Sequence, residues 1–131
     1  MKESQQRMAL TRALVYYARL SGNNGGDFSL DAYITIKGAC GKDHATALDL
    51  WAAKECLLML DVLGEKETLD VLRAVYIEPF SKKPLRAVEK NEISMSILNY
   101  AHLNHLDERT VYRRVRRARL LWQSIRERGI A

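Results

Sequence analysis

An all-α fold, a helical bundle, follows from three features of the chain. Its 131 residues include only two prolines and seven glycines, and Ala, Leu, Arg and Glu are abundant, a composition that favours helices. Apolar residues recur at three- and four-residue spacing, and Tyr33-Ile-Thr-Ile36 is the one short run with strand-like character. A hydrophobic fraction of 47% is ample for a buried core, and the length fits one domain, or one domain with a helical extension.

Taken in order, residues 3–20 form a first helix with Met8, Leu10, Leu14, Val15, Tyr17 and Ala18 on a broad apolar side. The run Ser21-Gly-Asn-Asn-Gly-Gly-Asp27 predicts a loop. A short helix is expected over Leu30 to Lys37, capped by Ser29 or Asp27, before Gly38, Cys40 and Gly41 interrupt again. Ala45 to Leu63 is the next helix, with Asp43 as its expected cap; Leu48, Trp51, Ala52, Cys56, Met59, Leu60 and Leu63 supply its apolar positions, and Gly64 closes it. A further helix from Glu65 or Lys66 to about Ile77 buries Leu69, Leu72, Val75 and Tyr76. Residues 78–92, with Pro79, Pro84, Lys82, Lys83 and Arg86, read mainly as a basic connector. Ile93 to Leu103 is helical, Asn104 to Leu106 is a turn, and Asp107 caps a long final helix. The organisation divides into an N-terminal helical region, 1–64, for packing, oligomerisation or a protein contact, and a C-terminal region, 65–131.

Charge separates along the same line. The net charge is +5, yet residues 82–131 hold 12 Lys and Arg against 5 Asp and Glu, whereas residues 1–81 hold 9 against 11. A basic end and a nearly neutral end imply one polyanion-binding part. Two cysteines are too few for a disulfide framework, no apolar stretch approaches the length of a membrane span, and the N-terminus lacks the apolar core of a signal peptide. A cytoplasmic protein with no membrane association is expected.

In the last helix Val111, Val115, Ala118, Trp122 and Ile125 fall on one stripe, and Arg109, Arg113, Arg116 and Arg117 point roughly the other way. Two helices joined by a short turn, the second carrying outward cations, form a helix-turn-helix, and the polyanion such a pair suits is double-stranded DNA. Glu108, Arg109, Tyr112 and Arg113 occupy the first turns, where side chains meet base edges; an arginine bidentate to a guanine contributes about 1–3 kcal/mol of discrimination. Glu108 either accepts from a cytosine amino group or simply favours the helix N-terminus. Arg116, Arg117 and Arg119 lie farther along and are expected on phosphates. Thr110 joins them or serves as a first-turn residue. Lys82, Lys83 and Arg86 add backbone contacts or form a solvated loop. Leu120 and Leu121 hint at a protein contact, although a continuation of the core accounts for them more simply.

The stretch from Tyr100 to Arg119, Tyr-Ala-His-Leu-Asn-His-Leu-Asp-Glu-Arg-Thr-Val-Tyr-Arg-Arg-Val-Arg-Arg-Ala-Arg, resembles the second half of sigma-factor region four. That pattern has an Ile-Ala pair, a turn, Ser-x-x-Thr-Val and a basic tail ending in Arg-Ala-Arg. Ala101, Asp107, Thr110, Val111, Arg117, Ala118 and Arg119 fall in register with it. The helix Leu69–Ile77 resembles the preceding sigma helix. Asn104 and His105 stand where the pattern has Leu-Gly, the connector 78–92 is longer, and residues 1–64 do not look like any sigma region. A helical front half joined to a region-four-like back half is similar to the phage late-gene antitermination protein Q group and to phage late regulators of the ArpU and RinA type. The resemblance implies a transcription regulator that binds DNA near a phage late promoter and, in the antitermination branch, acts with bacterial RNA polymerase. A different class with the same DNA face is a packaging adaptor, a small terminase-like homo-oligomer; an RNA-binding helical protein is a more distant third.

Other chemistry has little support. His102 and His105 are three residues apart but straddle a turn, and Cys40, His44 and Cys56 match no zinc spacing. Cys56 reads as a small core residue. There is no glycine-rich phosphate loop after a strand, no nucleophile elbow and no recognisable pair of carboxylates. Neither an enzyme nor a cofactor or metal site is expected.

Overall fold

The computed structural model describes residues 3–24, 34, 37–38, 41, 45–81, 88–89 and 91–130. Among these every regular element is helical: α1 (Glu3–Asn24), α2 (Ala47–Val62), α3 (Lys66–Leu72, continued by a π-helical turn Arg73–Ile77), α4 (Glu92–Leu103) and α5 (Glu108–Ile130). No described helix is long and apolar enough to cross a membrane. The short helix expected at 30–37 falls largely outside the described residues, as do Asp43 and most of the connector.

One core runs through both the N-terminal and the C-terminal regions. Helix α1 is at its centre: Leu10, Ala13, Leu14, Val15, Tyr16, Ala18 and Leu20 are buried, including four consecutive positions that cover every side of the helix. Met8, expected on the apolar side, is instead 60% exposed, and Leu10 is the first fully buried position among the described residues. The helix also runs on through Gly22, Asn23 and Asn24, past the end expected at Leu20. Buried Leu20 and half-buried Ser21 extend the packed surface, and a terminal Gly or Asn costs at most about 1 kcal/mol. Arg19 is completely buried, with its guanidinium over the rings of Tyr16 (5.6 Å) and Phe80 (5.9 Å). Aromatic faces provide a favourable seat for such a cation.

Helix α2 begins two residues later than expected, and its cap is Thr46. The Asp49 N–H donates to Thr46 Oγ1 (3.1 Å) and the Thr46 N–H donates to Asp49 Oδ2 (3.3 Å), a reciprocal capping box. The helix buries Leu50, Ala52, Ala53, Cys56 and Leu60. Trp51 and Leu63, expected among the core positions, are 40% and 54% exposed, and Leu58 and Val62 are exposed as well. Gly64 ends α2 as expected. It takes φ +73°, and the N–H groups of Gly64 and Glu65 donate to the carbonyls of Asp61 and Leu60, the paired bonds of a Schellman ending.

Leu69, Leu72, Val75 and Tyr76 are buried along α3 and its π-helical continuation. The wider turn, closed by the Glu78 N–H donating to the Arg73 carbonyl (2.8 Å), precedes Phe80, which is fully buried in the same core. Tyr100 of α4 donates its hydroxyl to Asp70 of α3 (2.5 Å); burial, then this bond, push the Tyr100 pKa up to about 12. Helix α5 touches α1, α2, α3 and α4.

The link from α4 to α5 repeats the α2 ending with a different residue. The His105 and Leu106 N–H groups donate to the carbonyls of His102 and Ala101, and His105 takes φ +54°, so histidine holds the left-handed position that usually falls to glycine. A side chain there costs about 1–2 kcal/mol, partly offset because glycine gives the unfolded chain more freedom. His105→Gly is therefore expected to stabilise the fold by about 0.5–1 kcal/mol, and His105→Val to destabilise it, as read from urea unfolding midpoints. The reverse order would mean that this turn takes another path in solution.

Candidate nucleic-acid interface

Helix α5 starts where the sequence places it. The Arg109 N–H donates to Asp107 Oδ1 (3.1 Å), and the Thr110 N–H donates to the Asp107 carbonyl (3.0 Å). Val111, Val115, Ala118, Trp122 and Ile125 are all buried, none more than 3% exposed. Burial of a valine or isoleucine stabilises by about 1.5–3 kcal/mol as an upper estimate. Trp122 Nε1 donates to the Asp49 carbonyl of α2 (3.2 Å) and Arg126 Nε donates to Asp49 Oδ1 (2.5 Å). Asp49 thus caps its own helix and holds α5 beside it. Near the C-terminus, a side chain at Gly129 would press on Trp51 and Leu48 at 2.7 and 3.0 Å, so the absent Cβ lets α5 lie against α2.

The cations of α5 divide into three groups according to their angle from the buried stripe. Arg109, Arg113 and Arg116 project within roughly 40° of the opposite pole at 3.6 residues per turn, and all three are exposed. Among the described residues none of them has a carboxylate partner. Arg114 and Arg117 lie on the flank that meets α3. Arg117 donates through Nε and Nη2 to the two oxygens of Glu65 (3.0 and 2.9 Å), and Arg114 lies 3.5 Å from Glu67. Arg119 and Tyr112 lie on the flank that meets α1, and Arg119 is only 3% exposed.

Two of the residues expected on phosphates have neighbours in the fold. The Arg117 guanidinium forms a fork with Glu65 at the start of α3, and Arg119 is turned toward α1 and nearly buried. Glu108 is exposed, Thr110 and Tyr112 are half-buried, and Lys82, Lys83 and Arg86 lie outside the described residues. Leu120 is 48% exposed and Leu121 is buried, so the core continues through the second of the pair only.

Two concave features adjoin the outward arginines. A shallow groove between α4 and the start of α5 is lined by Leu98, Ala101, His102, Leu106, Asp107, Glu108 and Arg109. On the other side, a crevice between α1 and α5 is lined by Arg7, Arg109, Tyr112, Arg113, Val115, Arg116 and Arg119. Arg7 lies over the Tyr112 ring at 5.9 Å. Nothing in the local sequence around Arg7 announces this role, because only the packing of α1 on α5 brings it there. Cys56 is buried behind α5, its thiol donating to the Ala118 carbonyl (3.6 Å), and burial pushes its pKa up to about 12. Among the described residues no three His, Cys, Asp or Glu side chains converge as a metal site would require. No protein-family model, curated protein or solved structure matches this chain.

The Glu65–Arg117 fork carries a pH signature. Its hydrogen bond lowers the Glu65 pKa below the ordinary carboxylate value. A depressed folded pKa gives a contribution fully present above the unfolded value and lost as pH falls through the folded one. Because the Arg117 side chain is 48% exposed, the pair is worth less than about 1 kcal/mol. Glu65→Gln is expected to lower stability by that small amount at neutral pH and to flatten the acid limb of a stability–pH curve. An acid limb unchanged by the substitution would mean that the fork does not persist in solution.

Proposed function

We propose that this protein is a sequence-specific DNA-binding transcription regulator whose reader is a sigma region-four-like helix-turn-helix formed by α4, the Asn104–Asp107 turn and α5. One observation carries the reading. A helix fixed inward by valine, tryptophan and isoleucine holds Arg109, Arg113 and Arg116 outward, with no carboxylate partner among the described residues. Guanidinium groups so placed suit both the guanine edge and backbone phosphates. The excess of cations in residues 82–131 supports the same partner through counterion release. In this proposal Glu108, Arg109 and Arg113 face bases, Arg116 holds a phosphate, and Tyr112 braces the helix flank.

The family resemblance of the α4–α5 sequence extends the proposal to a phage late-gene antiterminator or activator acting with RNA polymerase in the bacterial cytoplasm. A second reading draws on α2. Trp51, Leu58 and Val62 share one exposed face of that helix, an apolar surface suited to a second copy in an oligomeric packaging adaptor. Light scattering on the purified protein separates the two: a large ring favours the adaptor, and a monomer or dimer favours the regulator.

Selection from a random duplex library, followed by binding across a salt series, tests the reader. Arg113→Ala is expected to cost about 1–3 kcal/mol on the selected site and far less on random DNA. Arg116→Ala should weaken both and reduce the salt slope by about one. Equal losses on selected and random duplexes for both variants would refute the division between base and phosphate contacts.

A further inference from the structure

The crevice between α1 and α5 gathers five arginines from two distant parts of the chain. Arg7 comes from the first turns of α1, and Arg109, Arg113, Arg116 and Arg119 come from four successive levels of α5. No carboxylate is among the lining residues, and among the described residues Arg7, Arg109, Arg113 and Arg116 have no carboxylate partner, whereas Arg114 and Arg117, on the opposite flank of α5, do. Like charges brought to one concavity repel one another, and the repulsion is relieved when an anion sits between them.

The surroundings hold this cluster in place. Arg119 is 97% removed from solvent by its neighbours, being 3% exposed, yet it lines the crevice. The Arg7 guanidinium rests over the Tyr112 ring. The Arg7 carbonyl accepts from Thr11 Oγ1 (2.9 Å). Arg7 from α1 and Arg116 from α5 thus line one concavity from two helices. Guanidinium donors arranged around a tetrahedral oxyanion can engage several of its oxygens together.

We propose that the α1–α5 crevice is a phosphate-binding site, with Arg7 as the arm supplied by the N-terminal region. In the complex with DNA, Arg7 and Arg116 hold one backbone phosphate there, beside the groove that α5 enters, while Arg109 and Arg113 face the bases. The identity of that phosphate's source rests on the DNA-binding reading above; the anion chemistry of the crevice does not. The inference gives residues near the N-terminus a direct part in the interface, which neither the α5 pattern nor its resemblance to sigma region four assigns to them.

Two measurements on the full-length protein test it. In the first, inorganic phosphate replaces chloride at constant ionic strength while the melting temperature is followed. Phosphate should raise the melting temperature of the wild-type protein and of a control, Lys66→Gln, at an exposed position outside the crevice. The rise should be clearly smaller in Arg7→Gln and Arg116→Gln, which keep only the general stabilisation that phosphate gives any folded protein, and the exposed position of Arg116 keeps the test valid if Arg7→Gln folds poorly. In the second, binding to a short labelled duplex is measured across a salt series. Arg7→Gln should lower affinity roughly tenfold near 0.1 M salt and reduce the slope by about one.

A clearly smaller phosphate response in both variants, with a wild-type protein that does not bind the duplex, would uphold the crevice and discard the DNA reading. Duplex binding in which Arg7→Gln keeps the wild-type slope, together with an unchanged phosphate response in both variants, would overturn the crevice and leave the DNA reading standing.

Discussion

The inward anchoring of α5 is the constraint from which the rest of the molecule follows. Its buried stripe meets the other four helices, so α5 cannot rotate without exposing Val111, Val115 and Trp122 together. Fixing the stripe fixes every other side chain on the helix by angle alone. The opposite pole must then face water, and the chain places Arg109, Arg113 and Arg116 there. The flanks must meet neighbours, and the neighbours differ: α3 offers Glu65 and Glu67, whereas α1 offers Arg7. A single helix thereby becomes neutralised along one edge, open along its crest and strongly basic along the other edge.

The same logic links stability to the surface available for binding. Asp49 satisfies two donors of α5 while capping α2, so the N-terminal half of the protein controls where the C-terminal helix lies. The Schellman-type turn at His105 fixes the entry of α5 in the same way, through backbone bonds to Ala101 and His102. These contacts involve no outward arginine. The interface is therefore supported from behind, and its crest carries charge without serving the core, a division that suits rigid recognition of a polyanion.

Much of this was legible in the sequence. The buried stripe of α5, its Asp107 cap, the Gly64 ending and the buried positions of α3 all follow from local spacing and cap chemistry, which depend on neighbouring residues alone. The Thr46–Asp49 capping box was equally local, since its Thr-x-x-Asp pattern stands in the chain, but Asp43 drew the cap three residues early. The expectation that Arg117 and Arg119 meet phosphates rests on their place farther along the helix. Their positions on the two flanks, roughly 120° and 80° from its centre, leave their surroundings to whichever helix packs there. Sequence spacing does not supply that partner. Arg7 and Glu65 were illegible as site residues for the same reason: each acquires its role only when separate segments meet. Trp51 and Met8 erred in the opposite sense, because apolar character fixes a preference for burial and not the extent of the neighbouring surface.

The most direct measurement of the central claim is the response of individual arginine Nε–H signals, by NMR, to added duplex DNA. Large shifts are expected for Arg109, Arg113 and Arg116 on the crest, and little change for Arg126, held by Asp49 on the packed side. Shifts concentrated at Arg126, or at the indole of Trp51 on the outer face of α2 with the crest unmoved, would contradict it.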